Sequence, residues 1–159
     1  MNPIQHKLIR VTSPAAIVDN ASLSCLAVDR KGFDFARYVF YFGAMDIAAV
    51  ALKVQESDTL TDSTTLASAA DVTGAIYGTS TNDAGSTSTL PSATDDNKFF
   101  TVEIDLKGRN RYLNPVVTLG DGAVGTFCAV WCELYLGENV PTSATQKGAS
   151  QNLRVPVIS

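Results

Sequence analysis

Short segments in which apolar residues recur at every second position run along most of this 159-residue chain. Polar, turn-rich stretches separate them, and a period of two predicts β-strands. The predicted strands cover residues 7–13, 22–29, 37–45, 46–57, 98–106, 111–120, 126–137 and 152–158. About seven or eight strands with few helical signals predict an all-β domain, an antiparallel β-sandwich or jelly roll.

Three of these strands differ in how their two faces are filled. The strand 37–45 carries aromatic or β-branched residues on both faces, which predicts burial on both sides. The strand 98–106 has one apolar face, and its opposite residues are predicted to face water: Thr101, Glu103 and Asp105. The strand 126–137 has two apolar faces, so one of them is available to a partner.

Other segments leave alternatives open. The alanines of 46–57 would suit a helix, but its alternation favours a strand. Residues 62–72 could form a short helix capped by Asp62 or Ser63, with a strand at 74–80 after it. Residues 81–97 are a loop by composition, and Pro115 predicts an edge or a bulge within 111–120.

One phrase occurs twice, as DRKGFDFARYVFYFGAMD at 29–46 and as DLKGRNRYLNPVVTLGDG at 105–122. Each copy begins with Asp, a variable residue, Lys and Gly, and each continues through Arg-Tyr into an apolar run. Gly32 and Gly108 would supply the turn geometry after the incoming strand. The repeat therefore predicts two equivalent strand–turn–strand units, with chance similarity as the alternative.

The predicted organisation is a single domain with extended ends. Residues 1–20 are predicted to form an N-terminal arm, 21–137 the β-sandwich, and 138–159 a C-terminal arm. The segments KLIRVTS and NLRVPVI are expected to add as strands to the sheets of neighbouring molecules, because main-chain hydrogen bonds can supply affinity in such contacts.

Charge narrows the range of partners. Charged residues make up 18% of the chain, the formal net charge is −4 and the pI is about 4.8, which disfavours nucleic-acid binding. The acidic excess lies in 46–105 and the ends are mildly basic, so copies could attract one another, or the charges are simply solvated. No secretory signal and no apolar run long enough to span a bilayer are found, so we expect a soluble product made in the cytosol with no membrane partner.

Residues that could carry chemistry are few. His6 is the single histidine, and no catalytic triad can be built around it. The acids of Asp95-Asp96 lack the spacing of a calcium loop, and GDGAVG at 120–125 lacks the Lys-Ser/Thr of a phosphate loop and predicts a hairpin turn. We therefore expect no catalytic site, no metal and no cofactor.

The three cysteines are Cys25, Cys128 and Cys132. Cys128 and Cys132 would lie roughly 13 Å apart along one strand, and a disulfide needs Cα atoms within about 7 Å. Reduced, buried thiols are expected, while a bridge from Cys25 to either of the others stays open.

The residues predicted to contact partners are basic, aromatic or part of the two terminal strands. They are Lys7, Ile9, Arg10, Arg37, Tyr38, Arg109, Arg111, Tyr112, Trp131, Tyr135, Leu153, Arg154 and Val155. The arginines could pair with carboxylates of an adjacent subunit, or form ion pairs within the chain, which is the more favoured interpretation. The aromatic residues could instead stack on sugars.

Three stretches resemble small structural proteins of tailed bacteriophages, which are usually encoded among head genes. They are GFDFARYVFYFGAMDIAAVALKVQESD, IDLKGRNRYLNPVVTLGDG and ELYLGENVP, and the resemblance covers roughly residues 23–141. It implies a β-rich, oligomeric decoration or cement protein on the capsid exterior, with the major capsid protein or other virion subunits as its partner. The alternatives are a carbohydrate-binding β-sandwich and a small jelly-roll shell or tail protein.

Overall fold

The computed structural model describes residues 6–13, 17–136 and 149–155. These residues form nine β-strands and no helix. The strands are β1 (His6–Arg10), β2 (Val28–Asp29), β3 (Phe35–Phe42), β4 (Ala51–Ser57), β5 (Ala70–Ile76), β6 (Phe99–Asp105), β7 (Tyr112–Thr118), β8 (Cys128–Tyr135) and β9 (Gln151–Val155). One sheet has five strands in the order β1-β8-β3-β6-β9, and the other has four in the order β2-β7-β4-β5. The predicted all-β sandwich is confirmed.

The first eight strands pair from the outside inwards along the chain, the first with the eighth and the fourth with the fifth. Strand β1 pairs with β8, β2 with β7, β3 with β6 and β4 with β5, all antiparallel. One further antiparallel pair then joins these pairs within each sheet: β3 with β8 in the five-stranded sheet, and β4 with β7 in the four-stranded sheet. Strand β9 extends the five-stranded sheet by pairing parallel to β6.

The core lies between the two sheets and is built from the apolar faces of the alternating strands. Phe40 and Phe42 of β3 and Phe100 of β6 are fully buried. The rings of Phe42 and Phe100 meet edge to face with centroids 5.8 Å apart. Tyr77, which follows β5 in the other sheet, meets Phe100 at 5.5 Å. These rings therefore connect the two layers, as expected for large aromatic side chains in a sandwich core.

The repeated phrase forms the same turn twice. Asp29 and Asp105 each accept a hydrogen bond at 3.0 Å from the backbone N–H of the lysine two residues later. The glycines that follow, Gly32 and Gly108, have positive φ values of 87° and 76°, which favours glycine. The two turns lie side by side and are joined by a hydrogen bond of 2.9 Å, from the N–H of Leu106 at the second turn to the carbonyl of Asp34 at the end of the first. Each turn carries the chain from one sheet to the other, so the predicted structural repeat is found at this turn.

Two predicted strands are shorter than expected. Only Val28–Asp29 of 22–29 is a strand, and 46–57 becomes a strand only from Ala51. Pro115 explains the first difference, because proline has no N–H to continue the ladder between β7 and β2 beyond Leu113. The opposite chain turns away there, and Leu26 donates its N–H to the carbonyl of Val11 instead.

The short helix considered for 62–72 is wrong. Asp62 does accept the backbone N–H groups of Thr64 and Thr65, at 2.7 and 2.8 Å. These bonds close a turn, and the chain then enters β5 at Ala70. An Asp side chain stabilises a turn through the same short-range bonds that cap a helix, so this local signal could not separate the two.

The two predicted terminal arms, 1–20 and 138–159, differ from the structure in the residues that the structure describes. Residues 6–10 and 151–155 form β1 and β9, which pair with strands of the same chain. Their own sheet therefore offers them partners in register, and their backbone groups on that side need no neighbouring molecule. The rest of both predicted arms lies partly outside the described residues, which exclude 1–5, 14–16, 137–148 and 156–159.

The cysteines are free thiols packed near one another against the core. Burial raises the pKa of Cys25 to about 12. Burial also raises the pKa of the Cys128 and Cys132 thiols. Neutral thiols are poor nucleophiles, so these side chains act as small apolar residues.

Raising the pH from 7 to 9 is expected to lower the free energy of unfolding by about 1–2 kcal/mol through these thiols. Their pKa values are raised in the folded chain, so they stay neutral there but begin to ionise in the unfolded chain. The stability that the neutral thiols contribute is fully present below their pKa in the unfolded chain. It is lost as the pH rises from that value toward their higher pKa in the folded chain. Urea unfolding at both pH values measures the change. In the C25A/C128A/C132A variant the change should be less than half as large, and an equal change would contradict the assignment.

Candidate functional site

The outer face of the five-stranded sheet carries its side chains in rows, because neighbouring strands pair in register. One row runs across Arg10, Trp131, Val39, Thr101 and Asn152. The next row runs across Leu8, Glu133, Arg37, Glu103 and Arg154. The second of these rows is charged from β8 to β9, whereas the row on the other side of the first, Phe99, Tyr41 and Ala129, is apolar.

The charged part, here called the charged row, consists of Glu133, Arg37, Glu103 and Arg154. Arg37 lies 3.7 Å from Glu133 and 3.9 Å from Glu103, measured between guanidinium nitrogen and carboxylate oxygen. Arg154 lies 3.7 Å from the second oxygen of Glu103. Opposite charges therefore alternate across four strands and neutralise one another. Glu103, predicted to face water, is instead buried between the two arginines.

The apolar part, here called the aromatic patch, consists of Leu8, Tyr41, Phe99, Phe127, Ala129 and Trp131. The Phe99 ring links Tyr41 and Trp131, with centroid distances of 4.7 and 6.0 Å. Leu8 is 63% exposed and Phe127 is 54% exposed. A contiguous set of large apolar side chains left open on a sheet face is typical of a surface that binds another molecule.

An open groove of about 590 Å³ lies along this patch. Its walls come from three strands and their extensions, with Leu8 on β1, Tyr41 on β3 and Trp131 on β8. The polar side chains at its rim already have hydrogen-bond partners within the chain. Arg10 donates to the Ser13 hydroxyl at 2.8 Å, and the Thr12 hydroxyl accepts the backbone N–H of Val130 at 2.9 Å. The groove is therefore shaped for an apolar side chain.

The edge of the sheet borders the same groove. β1 is the last strand on this side. Just beyond it, Val11 donates its N–H to the carbonyl of Val130 at 3.1 Å. Antiparallel pairs alternate between hydrogen-bonded and non-hydrogen-bonded, so Ile9 directs its backbone groups to β8, whereas Leu8 and Arg10 direct theirs away. No strand of the described residues pairs with that outer edge.

The structure brings together some of the predicted contact residues. Arg10 and Trp131 lie at the groove, and Arg37 and Arg154 lie in the charged row. Tyr135 stacks on Phe35 with centroids 5.8 Å apart beside that row. Burial, followed by the Glu103 carboxylate, raises the pKa of Tyr135 to about 12, so its hydroxyl stays protonated.

Other predicted contact residues cannot reach a partner in this fold. Tyr38, Leu153 and Val155 are buried in the core, because the inward faces of β3 and β9 carry them. Of the remaining residues of β1, Lys7 is exposed and Ile9 packs partly against the core.

The remaining predicted residues lie at the repeated turns, at the far end of β3 from the aromatic patch. Arg109 is buried and pairs with Glu56 at 3.3 Å, which corrects its assignment to an interface. Arg111 is exposed, pairs with Asp29 at 2.7 Å and stacks over the Tyr112 ring at 4.9 Å. Its side-chain hydrogen bonds lower the pKa of the Asp29 carboxyl. These ion pairs lie within the chain, as the favoured interpretation expected.

The sequence prediction missed five members of the aromatic patch: Leu8, Tyr41, Phe99, Phe127 and Ala129. The two-sided apolar pattern of 126–137 was the available signal, and it pointed to Trp131 and Tyr135. Phe99 could have been found, because the alternation that places Thr101, Glu103 and Asp105 outward also places Phe99 there. Tyr41 could not, because it lies in a strand with two apolar faces, and its exposure depends on which face the second sheet covers.

The described residues show no other chemical centre. No three His, Cys, Asp or Glu side chains among them come together to hold a metal ion. No helix in the described part of the chain is long and apolar enough to cross a membrane. Comparison of the chain with protein-family models, curated proteins and solved structures finds no match. The outer face of the five-stranded sheet is therefore the candidate site.

Proposed function

We propose that this chain is a non-enzymatic virion protein that decorates and stabilises a bacteriophage capsid by binding its shell subunits. The observation that carries the proposal is the aromatic patch, which stays open although the core between the sheets is complete. Burying such a surface against protein releases water from apolar area at little cost in ion desolvation.

The charged row supports a protein partner. Glu103 and Glu133 already have arginine partners within the chain, at distances of 3.7 to 3.9 Å. A partner that covers this face need not supply a counter-ion for either carboxylate, so the desolvation penalty of isolated charges is avoided. The major capsid protein, exposed in many copies on the capsid surface, would let many weak contacts of this kind add through multivalency.

The strand order agrees with the proposal. The pairs β1–β8, β2–β7, β3–β6 and β4–β5, divided between two sheets, support a jelly-roll arrangement. Jelly rolls build viral capsid domains and also lectins. A fold alone does not assign function, so the virion role rests on the aromatic patch together with the phage-protein resemblance of the sequence.

Glycan binding is the second candidate. Trp131, Phe99 and Tyr41 form a continuous aromatic surface on an open sheet, and Arg10 could bond a sugar substituent. The engaged hydroxyl of Thr12 and the Arg10–Ser13 bond leave few polar groups for sugar hydroxyls. A glycan array with no hits for the wild-type protein would dismiss this function.

The proposed function is tested on virus particles in which mass spectrometry detects this chain. Particles stripped of the protein are reconstituted with purified variants, and occupancy is measured by gel densitometry and imaging. F127S and W131A are expected to lower occupancy at least about tenfold, because they remove apolar contacts from the patch. V50S is the matched control, since Val50 is 64% exposed but lies in the segment leading into the other sheet.

Equal occupancy of all three variants would overturn the proposal, as would the absence of the chain from every purified particle. Closed particles formed by the chain expressed alone would show instead that it is a shell protein. The mass of the purified protein in solution gives its oligomeric state, for which we expect a homo-oligomer.

A further inference from the structure

We propose that the outer edge of β1 receives an extended acidic segment of a partner chain, which adds to the five-stranded sheet as a further strand. The inference rests on the proposed function, because it names the partner chemistry at the rim of the same surface. It also reverses the sequence expectation: β1 stays in its own sheet and accepts a strand, whereas it was expected to be donated to a neighbour.

The first observation is the outward-facing backbone of β1. The N–H and C=O groups of Leu8 and Arg10 point away from β8, by the alternation that the Val11–Val130 hydrogen bond sets. No described strand covers them. An edge of this kind is a template for an added strand, in which main-chain hydrogen bonds provide affinity and alternate side chains provide specificity.

The opposite edge of the sheet is different. Strand β9 is covered by the loop after β5, where Asp83 donates its N–H to the carbonyl of Asn152 at 3.2 Å. Gln151 also holds this loop, by donating to the Thr89 hydroxyl at 2.6 Å. The protein therefore closes one edge with its own chain, and among the described residues β1 is the edge left for a partner.

The second observation is the charge of the edge. Lys7 and Arg10 are exposed, and neither has a carboxylate within ion-pair distance among the described residues. A second copy of β1, paired antiparallel about Leu8, would make the two Lys7 side chains diagonal neighbours on one face and would bring no carboxylate to Lys7 or Arg10. Like charges across a strand pair are destabilising. Acidic residues on the incoming strand complement this edge, and an identical strand does not.

The third observation is the groove beside Leu8. Side chains of an added strand alternate between the two faces of the sheet, and strands lie about 4.8 Å apart. The residue opposite Leu8 therefore lies beside Leu8 at one end of the groove of about 590 Å³, which the aromatic patch lines. The partner segment consequently has an apolar residue at this position, an acidic residue next to it opposite Lys7, and a second acidic residue two positions away on the other side, opposite Arg10.

The test uses the ¹⁵N-labelled protein and two blocked peptides followed by NMR. The first peptide is acetyl-Ser-Glu-Val-Val-Glu-Asp-Thr-amide, and the second has lysine at each acidic position. The acidic peptide is expected to shift the resonances of residues 6–10 and to slow amide hydrogen exchange at Leu8 and Arg10. The lysine peptide is expected to bind at least about tenfold more weakly, because it meets like charges.

The matched pair L8P and L8A separates backbone pairing from side-chain contact. Proline removes an N–H that points out of the sheet and is tolerated on an edge strand, whereas alanine keeps that N–H. The acidic peptide should bind L8P at least about tenfold more weakly than L8A, because proline removes one hydrogen bond to the peptide and perturbs the edge strand. The K7E/R10E variant should reverse the preference between the two peptides. This variant tests the charge of the edge without a proline, so it gives a result even if L8P lowers the unfolding temperature.

Several results would overturn this inference. They are equal peptide binding by L8P and L8A, shifts confined to residues outside β1, no binding up to millimolar peptide, and β1-dependent self-association without peptide. Binding of a glycan at residues 6–10 would also overturn it. Loss of particle occupancy in F127S but not in L8P would leave the proposed function standing and reject only the added strand.

Discussion

Replacing Phe100 by alanine is expected to lower the free energy of unfolding by about 3–5 kcal/mol, as deletion of a fully buried aromatic ring does. Phe100 is wholly buried and its ring contacts Phe42 and Tyr77, one from each sheet. Its removal therefore leaves a cavity at the point where the two layers meet. Urea unfolding monitored by circular dichroism measures the loss.

The adjacent residue provides the control. Phe99 lies on the opposite face of the same strand and is 37% exposed. F99A loses one aromatic contact with Tyr41 and one with Trp131, and we expect a cost of about 1 kcal/mol. Equal destabilisation by F99A and F100A would mean that the outer face is as well packed as the core, which would contradict the aromatic patch as an open surface.

R109M is expected to lower the free energy of unfolding by about 3 kcal/mol, because it leaves the buried Glu56 carboxylate without its cation. The Arg109 side chain is only 4% exposed and that of Glu56 is 11% exposed. Glu56 also accepts the N–H of Asn110 at 3.0 Å, so the pair holds the second repeated turn against β4. Urea unfolding at pH 7 measures the effect.

R111M is the matched control two residues away. Arg111 pairs with Asp29 at the surface, where water screens the pair, so R111M is expected to lower the free energy of unfolding far less than R109M. Adding E56Q to R109M removes the buried charge while keeping an acceptor for Asn110, and part of the lost stability should return. If R109M and R111M cost the same, the Arg109–Glu56 pair would not hold the turn in the way described.

The alternating pattern was sufficient to predict the sandwich and most of its strands. It worked best for β3, β6 and β8, whose apolar residues recur at every second position over seven or eight residues. It failed for 62–72, where Asp62 forms local bonds common to turns and helices. It also could not limit β2 to two residues, because that depends on Pro115 in a strand far along the chain.

The candidate site was predicted only in part. Arg10 and Trp131 were named from their residue types, and both lie at the groove. Arg109 was grouped with Arg111, although one is buried and the other exposed. Both are arginines in one short segment, Arg109-Asn110-Arg111, so the sequence gives no reason to distinguish them. Only the position of Glu56 on β4, beside Arg109, shows which of the two is buried.

The amino-acid sequence by itself determined the features that depend on near neighbours: the period-two strands, the two Asp-x-Lys-Gly turns and the all-β class. Only the tertiary structure decided that Leu8, Tyr41, Phe99, Phe127 and Trp131 share one open face, and that no strand of the described residues pairs with the outer edge of β1. The physical reason is that strand register and sheet packing join residues distant in sequence. A strand with two apolar faces does not encode which of them the second sheet will cover.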